Sequence, residues 1–356
     1  MAIAREFAPF VPFCFLACYV AFLLAKPSRI EWVLLTLLGS AAGWAMAVAN
    51  MGLANMGLAN LGPWIAGLGL AAAGWALLAP LVHRKTAPPV IVLLALYPWI
   101  ASTAVLLTNS AGGMVLDRYL LAADGSFGFQ AGFHAAAFLL RQPAIRHICE
   151  LCYFGLPVAV ASLLHTASAR RLMIVCGLLA VSAVAGYAMF PAVGSQIAFA
   201  DRFPENPPAT NAATAGPMFQ PGEFPRNFMP SLHTAWGLAL LLAAWPLGAV
   251  WRGGIVIYLI PMLFYALASH YLCDLIVAVP WTLAIWSALD RNWRHSALYA
   301  AGAAAWMLLI RFGLGVLYSS IAVPWALAAA TLAWPFVWTV ERARQNLPAA
   351  EPRLDA

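Results

Sequence analysis

Residues 226–245 read RNFMPSLHTAWGLALLLAAW. From Ser231 to residue 250 the chain is apolar and long enough to cross a bilayer core, which takes about 20 such residues. His233 nevertheless stands at its start, just behind Pro230 and Ser231. An apolar helix has no structural need for an imidazole in its first turn, and ionisable groups at membrane depth are costly and usually functional. The stretch therefore predicts a membrane-spanning helix with a polar site at its mouth.

The rest of the chain extends this pattern. Of 356 residues, 63% are hydrophobic and 9% charged, whereas soluble domains carry roughly a quarter charged residues. Apolar runs recur along the whole length, and β-barrel alternation is absent, which leaves helices as the way to satisfy the backbone in lipid. The expected fold is all-α, a polytopic transmembrane bundle of about eleven spans near 8–25, 32–49, 64–82, 89–108, 149–166, 172–190, 231–250, 254–269, 274–289, 297–317 and 321–340. The first run ends in LLAKPSR without a small-x-small cleavage site, so a cleaved signal peptide is not expected.

Three intervals are not simple turns. Residues 49–62 form an uncharged Gly/Asn-rich connection with a five-residue repeat, a period that fits neither helix nor strand. Residues 109–148 carry Asp117, Arg118 and Asp124 and then FGFQAGFHAAAFLLRQPAIRH, which is short for a span and fits an interfacial helix. Residues 191–229 form a long Pro/Asn/Gly-rich loop holding Asp201, Arg202, Glu205, Glu223 and Arg226; loops of such length in compact domains are usually functional or disordered.

The formal charge of +6 does not point to nucleic acid, because the basic residues come singly or in pairs at the ends of apolar runs. They report topology instead. With the amino terminus outside and 109–148 not crossing, twelve Lys and Arg gather inside, six outside, and Arg311 lies within a span. The positive-inside rule favours this orientation in a cytoplasmic membrane, with the carboxyl terminus inside. It puts the 191–229 loop, His233 and His270 on the outer face, and His83, His165 and His295 on the inner one. The six cysteines lie in or beside apolar runs, which is ordinary core usage. Cys149 and Cys152, near His147, form a lone C-x-x-C, a weak metal signal.

A second polar cluster follows at ASHYLCDLIVAVPW, where His270 and Asp274 are four residues apart and so share a helix face. The run from Ser231 enters the membrane and the next returns, which brings His233 and His270 to one surface. Two imidazoles and a carboxylate suit phosphoryl transfer. One imidazole attacks phosphorus, a carboxylate fixes its tautomer, and the other imidazole works as general acid and base. Backbone N–H groups at the helix start near Ser231 can hold phosphate oxygens, and arginines complete the charge clamp. Neither a metal nor a cofactor is needed for this chemistry.

PSLH (230–233) followed by HYLCD (270–274) resembles the paired signatures of the type 2 phosphatidic acid phosphatase superfamily. Leu232 and the His-Tyr opening of the second motif resemble its inositol phosphorylceramide synthase-like branch. The resemblance covers roughly 110–290 and implies a six-helix catalytic core with His270 as nucleophile, Asp274 as its partner and His233 as general acid. The chain departs from the family in two places. No Arg-Pro dipeptide supplies the upstream K-x6-R-P motif, and Leu263 and Phe264 stand where the last motif has Ser and Arg. Arg226 and Arg202, then Arg118 and Arg311, are the candidates for the clamp beside Ser231.

The organisation expected is therefore amino-terminal transmembrane helices over 1–108, a catalytic core over 109–295, and carboxyl-terminal helices with a short inner tail over 296–356. The expected activity is a lipid phosphotransferase acting on a phospholipid or polyprenyl-phosphate type substrate from within the bilayer. A lipid phosphate or pyrophosphate phosphatase would use the same residues with water as acceptor. A proton-coupled transporter is the reading from another class, for which Arg311 is the only charged candidate near mid-membrane. The sequence carries no statement about oligomeric state.

Overall fold

The structure is a computed structural model and describes residues 10–48, 62–83, 91, 92, 95, 110–164, 166 and 168–345. The first helices are α1 (Phe10–Leu24), α2 (Arg29–Val48) and α3 (Gly62–His83). Strand β1 (Ser110–Val115) then leads into α4 (Asp117–Gly125), α5 (Ala131–Arg141), α6 (Pro143–Phe154), α7 (Leu156–Ser162), α8 (Ala169–Met189) and the single turn α9 (Ser195–Ala198). Strand β2 (Met218–Phe224) pairs with β1. It is followed by α10 (Leu232–Ala244), α11 (Ala249–Ser269), α12 (Leu272–Leu289), α13 (Trp293–Phe312), the short α14 (Leu314–Leu317) and α15 (Ala322–Gln345). Among the described residues the fold is all-α apart from the β1–β2 pair.

By length and apolar composition α8, α11 and α12 can each cross a bilayer, and α6 with α7, bent by 54°, makes a possible fourth span. Shorter apolar helices, α1 and α10 among them, accompany these. This is compatible with a multi-pass membrane protein. The expected spans at 149–166 and 231–250 are broken rather than continuous. Gly155 separates α6 from α7, and α10 passes at Trp245 into one tighter turn containing Pro246. The Pro ring has no N–H to continue the α-helical ladder. Residues 49–61 of the repeat and most of the expected span 89–108 lie outside the described residues.

The chain divides into two compact units. The first comprises residues 1–111, 150–173 and 222–225. Its helix α2 starts on a capping box, in which the Ser28 N–H donates to Glu31 Oε2 at 2.7 Å and the Glu31 N–H to Ser28 Oγ at 3.3 Å. The other oxygen of Glu31 takes the Trp75 indole N–H at 3.0 Å. Gly67 of α3 lies on the backbone of Gly39 and Gly43 of α2. A Cβ at Gly67 would collide with that backbone, so small residues permit a close crossing of the kind common between membrane helices.

The second unit comprises residues 112–149, 174–221 and 226–356. One apolar cluster of this unit joins Leu120 and Leu121 of α4, Tyr271, Ile276 and Val277 around the start of α12, and Trp306, Ile310 and Leu317 near the carboxyl-terminal end. Tyr318 donates its hydroxyl to the Ala122 carbonyl at 2.8 Å. The helices after residue 295 thus share a core with the helices that hold the two signature motifs. On another side, α5 presses on the end of α11, where Gly132 leaves room for the carbonyls of Leu267 and His270. The long loop before α10 is tied down at Thr210, whose hydroxyl accepts from Gln130 Nε2 at 3.2 Å.

Candidate functional site

Ser231 is the N-cap of α10: its hydroxyl oxygen accepts the Thr234 N–H at 3.4 Å and lies 3.0 Å from the Thr234 hydroxyl. Ser, having an acceptor on a short stem, is among the best residues for that position. The Ser231 N–H in turn donates to the Asp274 carbonyl at 3.4 Å. This one backbone bond brings PSLH against HYLCD. His233 is the second residue of α10, within electrostatic reach of His270.

His270 ends α11 in an extended conformation, and α12 begins two residues later. The chain reverses there, so Asp274 in the first turn of α12 faces back on the imidazole. His270 Nδ1 stands 3.4 Å from Asp274 Oδ2. That is close for an ion pair and long for a hydrogen bond, as is common in catalytic pairs before substrate tightens them. Nδ1 and Asp274 Oδ1 are both buried without a hydrogen-bond partner. Phe228 flanks the ring, 4.8 Å between centroids, and its carbonyl hydrogen-bonds the imidazole. Burial pushes the His270 pKa down to about 4, against the opposing pull of the Phe228 carbonyl. The imidazole is therefore neutral near pH 7, the form that can act as a nucleophile.

Two further carboxylates brace this corner, and sequence reasoning passed over both. Asp117 and Asp124 are seven apart on α4, hence on one face, and both are buried. Asp124 caps α12, accepting from the Leu272 N–H at 2.7 Å and the Cys273 N–H at 3.0 Å. Asp117 accepts from the Val193 and Gly194 N–H groups at 3.1 and 2.8 Å and from the Tyr271 hydroxyl at 3.0 Å. The Tyr271 N–H donates to Asp274 Oδ2 at 3.2 Å. Burial raises the pKa of Asp117 to about 6 and of Asp124 to about 7, while the donors they accept from pull the other way. Tyr271, expected to pack or to anchor at the interface, is buried in the core and links Asp117 to Asp274. The available signal was a pair of acids at i and i+7 in the short segment DRYLLAADG.

The four arginines proposed for the clamp separate. Arg202 is exposed and pairs loosely with Asp201 at 3.8 Å, and Arg118 is exposed. The Arg311 guanidinium lies over the Tyr119 ring at 4.7 Å, with Nη1 buried and unpartnered. Arg226 is half-buried, and its guanidinium occupies the space beside Gly113, where a Cβ would come within 2.7 Å of Nη2. Of the four it is nearest in sequence to Ser231 and His233, and it lies two residues before Phe228. His134 and His147 are exposed. Among the described residues, no group of three or more His, Cys, Asp or Glu side chains comes together as a metal site would require.

The arrangement is two imidazoles at facing helix ends, one backed by a carboxylate, with a capped helix start between them. Residues 118–288, just under half of the chain, match the family model of the PAP2 superfamily. Both motifs fall inside that segment. The match supports the type 2 phosphatidic acid phosphatase superfamily and, with it, phosphatase- or phosphotransferase-type activity. No curated protein and no solved structure matches the chain.

Proposed function

We propose that the protein is a lipid phosphotransferase that works through a phosphohistidine on the outer face of the cytoplasmic membrane. The observation that carries this reading is the Ser231 N–H to Asp274 C=O contact, which joins the two motifs where His270 lies against Asp274. In the first half-reaction a neutral His270 nitrogen attacks phosphorus while Asp274 stabilises the positive charge that grows on the ring. His233 gives a proton to the departing oxygen. In the second, the acceptor hydroxyl surrenders its proton to His233 and its oxygen takes the phosphoryl group, returning the electron pair to His270. Arg226 neutralises charge on the phosphoryl oxygens. Leu232 and the His270-Tyr271 pair favour the synthase-like branch, in which the phosphoryl group carries a lipid head group to a hydroxyl. With water as acceptor the same residues make a lipid phosphate phosphatase.

The test is alkali-quenched turnover by purified full-length protein with defined phospholipids, with and without an alcohol acceptor. Wild-type protein is expected to accumulate an acid-labile, base-stable phosphoenzyme and to form a new lipid when the alcohol is present; free phosphate alone would assign the phosphatase. His270→Ala should abolish both phosphoenzyme and turnover while leaving the protein folded. Near-normal turnover in His270→Ala would remove the mechanism.

A further inference from the structure

Asp117 is fully buried, and its bonds run in two directions that meet at one ring. On one side Oδ1 accepts the Tyr271 hydroxyl at 3.0 Å. Tyr271 follows His270 directly, and its own N–H donates to Asp274 Oδ2 at 3.2 Å. That same oxygen stands 3.4 Å from His270 Nδ1. On the other side Oδ1 and Oδ2 accept the Gly194 and Val193 N–H groups at 2.8 and 3.1 Å. Gly194 has φ +85° and lies so close to the Phe228 ring that a Cβ would overlap it, so glycine is required there. The Phe228 ring stands 4.8 Å from the His270 ring between centroids. The imidazole is thus held between Asp274 and Phe228, and one carboxylate anchors both walls.

A carboxylate removed from water is costly unless donors satisfy it, and here three donors from two distant segments do so. Asp124, one helix face along, differs: its oxygens end on the N–H groups of α12 and hold a helix start, not the ring. An imidazole turns about two side-chain bonds, and attack needs the nitrogen aligned about 3–3.5 Å from phosphorus; a misplacement of about 1 Å can cost a hundredfold in rate. We infer that Asp117 is a positioning residue for the nucleophile, fixing the orientation of His270 through Tyr271 on one side and through Gly194 and Phe228 on the other. The inference rests on the phosphohistidine reading and deepens it. Asp117 touches no reacting atom. In the step it supports, a His270 lone pair forms the N–P bond as the P–O bond breaks. The electron pair of that bond leaves with the departing oxygen, which takes its proton from His233.

The test compares the binding of two anions to purified full-length protein. Orthovanadate accepts a fifth ligand, so a His270 nitrogen can bond to vanadium in the geometry of the transition state without any bond breaking. Inorganic phosphate fills the same place without that bond. The ratio of the phosphate Kd to the vanadate Kd therefore reports how well the nucleophile is aimed, whereas a general loosening of the site weakens both anions together. Tyr271→Phe should lower the ratio roughly tenfold, the worth of about one hydrogen bond. Asp117→Asn should lower it at least as much, because it disturbs both walls. The double variant should fall little below Asp117→Asn alone, since Tyr271 and Asp117 act as one unit. An unchanged ratio in Asp117→Asn overturns the inference, even if the melting temperature falls, and so do fully additive effects. Tyr271→Phe removes a single oxygen atom and decides alone if Asp117→Asn does not fold. A vanadate preference that is lost in His270→Ala but kept in the Asp117 and Tyr271 variants overturns the positioning role and leaves the nucleophile standing. Wild-type protein without a vanadate preference, or with one that survives His270→Ala, overturns both.

Discussion

At the scale of the residue, the reaction asks for one neutral imidazole and one cation. His270 has its pKa held to about 4 by burial. Its nucleophilic form therefore persists through the pH range in which an ordinary imidazole, with pKa near 6.5, would already be protonated. Activity falls as pH drops through the folded pKa, because the proton occupies the attacking lone pair. With an activated leaving group that needs no proton from His233, the acid limb of kcat/KM should lie near pH 4, and a limb near 6.5 would contradict the assignment. Arg226 is the cation in the proposed mechanism. Losing a charge-assisted contact to a developing phosphoryl charge costs on the order of 2–4 kcal/mol. Arg226→Ala should accordingly lower kcat about a hundredfold or more, and Arg226→Lys should recover only part, since an ammonium lacks the planar fork. Steady-state kinetics on the two variants decides; full activity in Arg226→Ala would transfer the role to Arg311, Arg202 or Arg118.

At the scale of the element, the start of α12 governs the site. Asp274 can face His270 only if the first turn of α12 is held in place, and two N–H groups of that turn end on Asp124. Asp124→Ala would leave both donors buried without acceptors, at a cost of about 2–4 kcal/mol. The variant should show a lower melting temperature together with reduced kcat, whereas Asp124→Asn, which keeps an acceptor, should lose less of each. Equal effects of the two substitutions would mean that the carboxylate acts through its charge and not as a cap. Strand β1 exerts a similar control from the other side. A methyl group at Gly113 would meet the Arg226 guanidinium, and Gly113 has φ +154°, which L residues rarely adopt, so Gly113→Ala should reproduce part of the Arg226→Ala defect and also lower the melting temperature.

At the scale of the whole molecule, the question is which face of the membrane carries the site. The distribution of Lys and Arg among the short loops favours an outer site with Arg170 and Arg171 inside. A cysteine placed at 226 should react with an impermeant thiol reagent in intact cells, and one placed at 170 should not. Labelling at 170 alone would invert the topology and put the reaction on the inner leaflet. The carboxyl-terminal helices belong to this scale as well. Arg311 rests on Tyr119 and Tyr318 on the Ala122 carbonyl, so residues far outside the two motifs support the short helix that carries Asp117 and Asp124.

Much of this was legible in the linear chain, for a physical reason. Apolar runs report helices because lipid allows the backbone few other solutions, and PSLH and HYLCD report chemistry because the residues that act together are close in sequence or lie at the ends of one hairpin. His270 and Asp274 are four residues apart across the break between two helices, and Ser231 caps the helix on which His233 sits. The bracing carboxylates were a different matter. Asp117 meets Tyr271 and Asp124 meets Leu272 across about 150 residues of chain, a separation over which no local periodicity carries information. In sequence those acids stand in the 109–148 interval between apolar runs, where no role is assigned to them. Burial made them structural, because a carboxylate removed from water must find donors, and the donors available were the backbone N–H groups of a helix start and a tight turn. Burial likewise distinguished Arg226 from the exposed Arg118 and Arg202. The sequence determined the helical class and picked out the trio proposed to react; tertiary packing decided what holds those three residues in register.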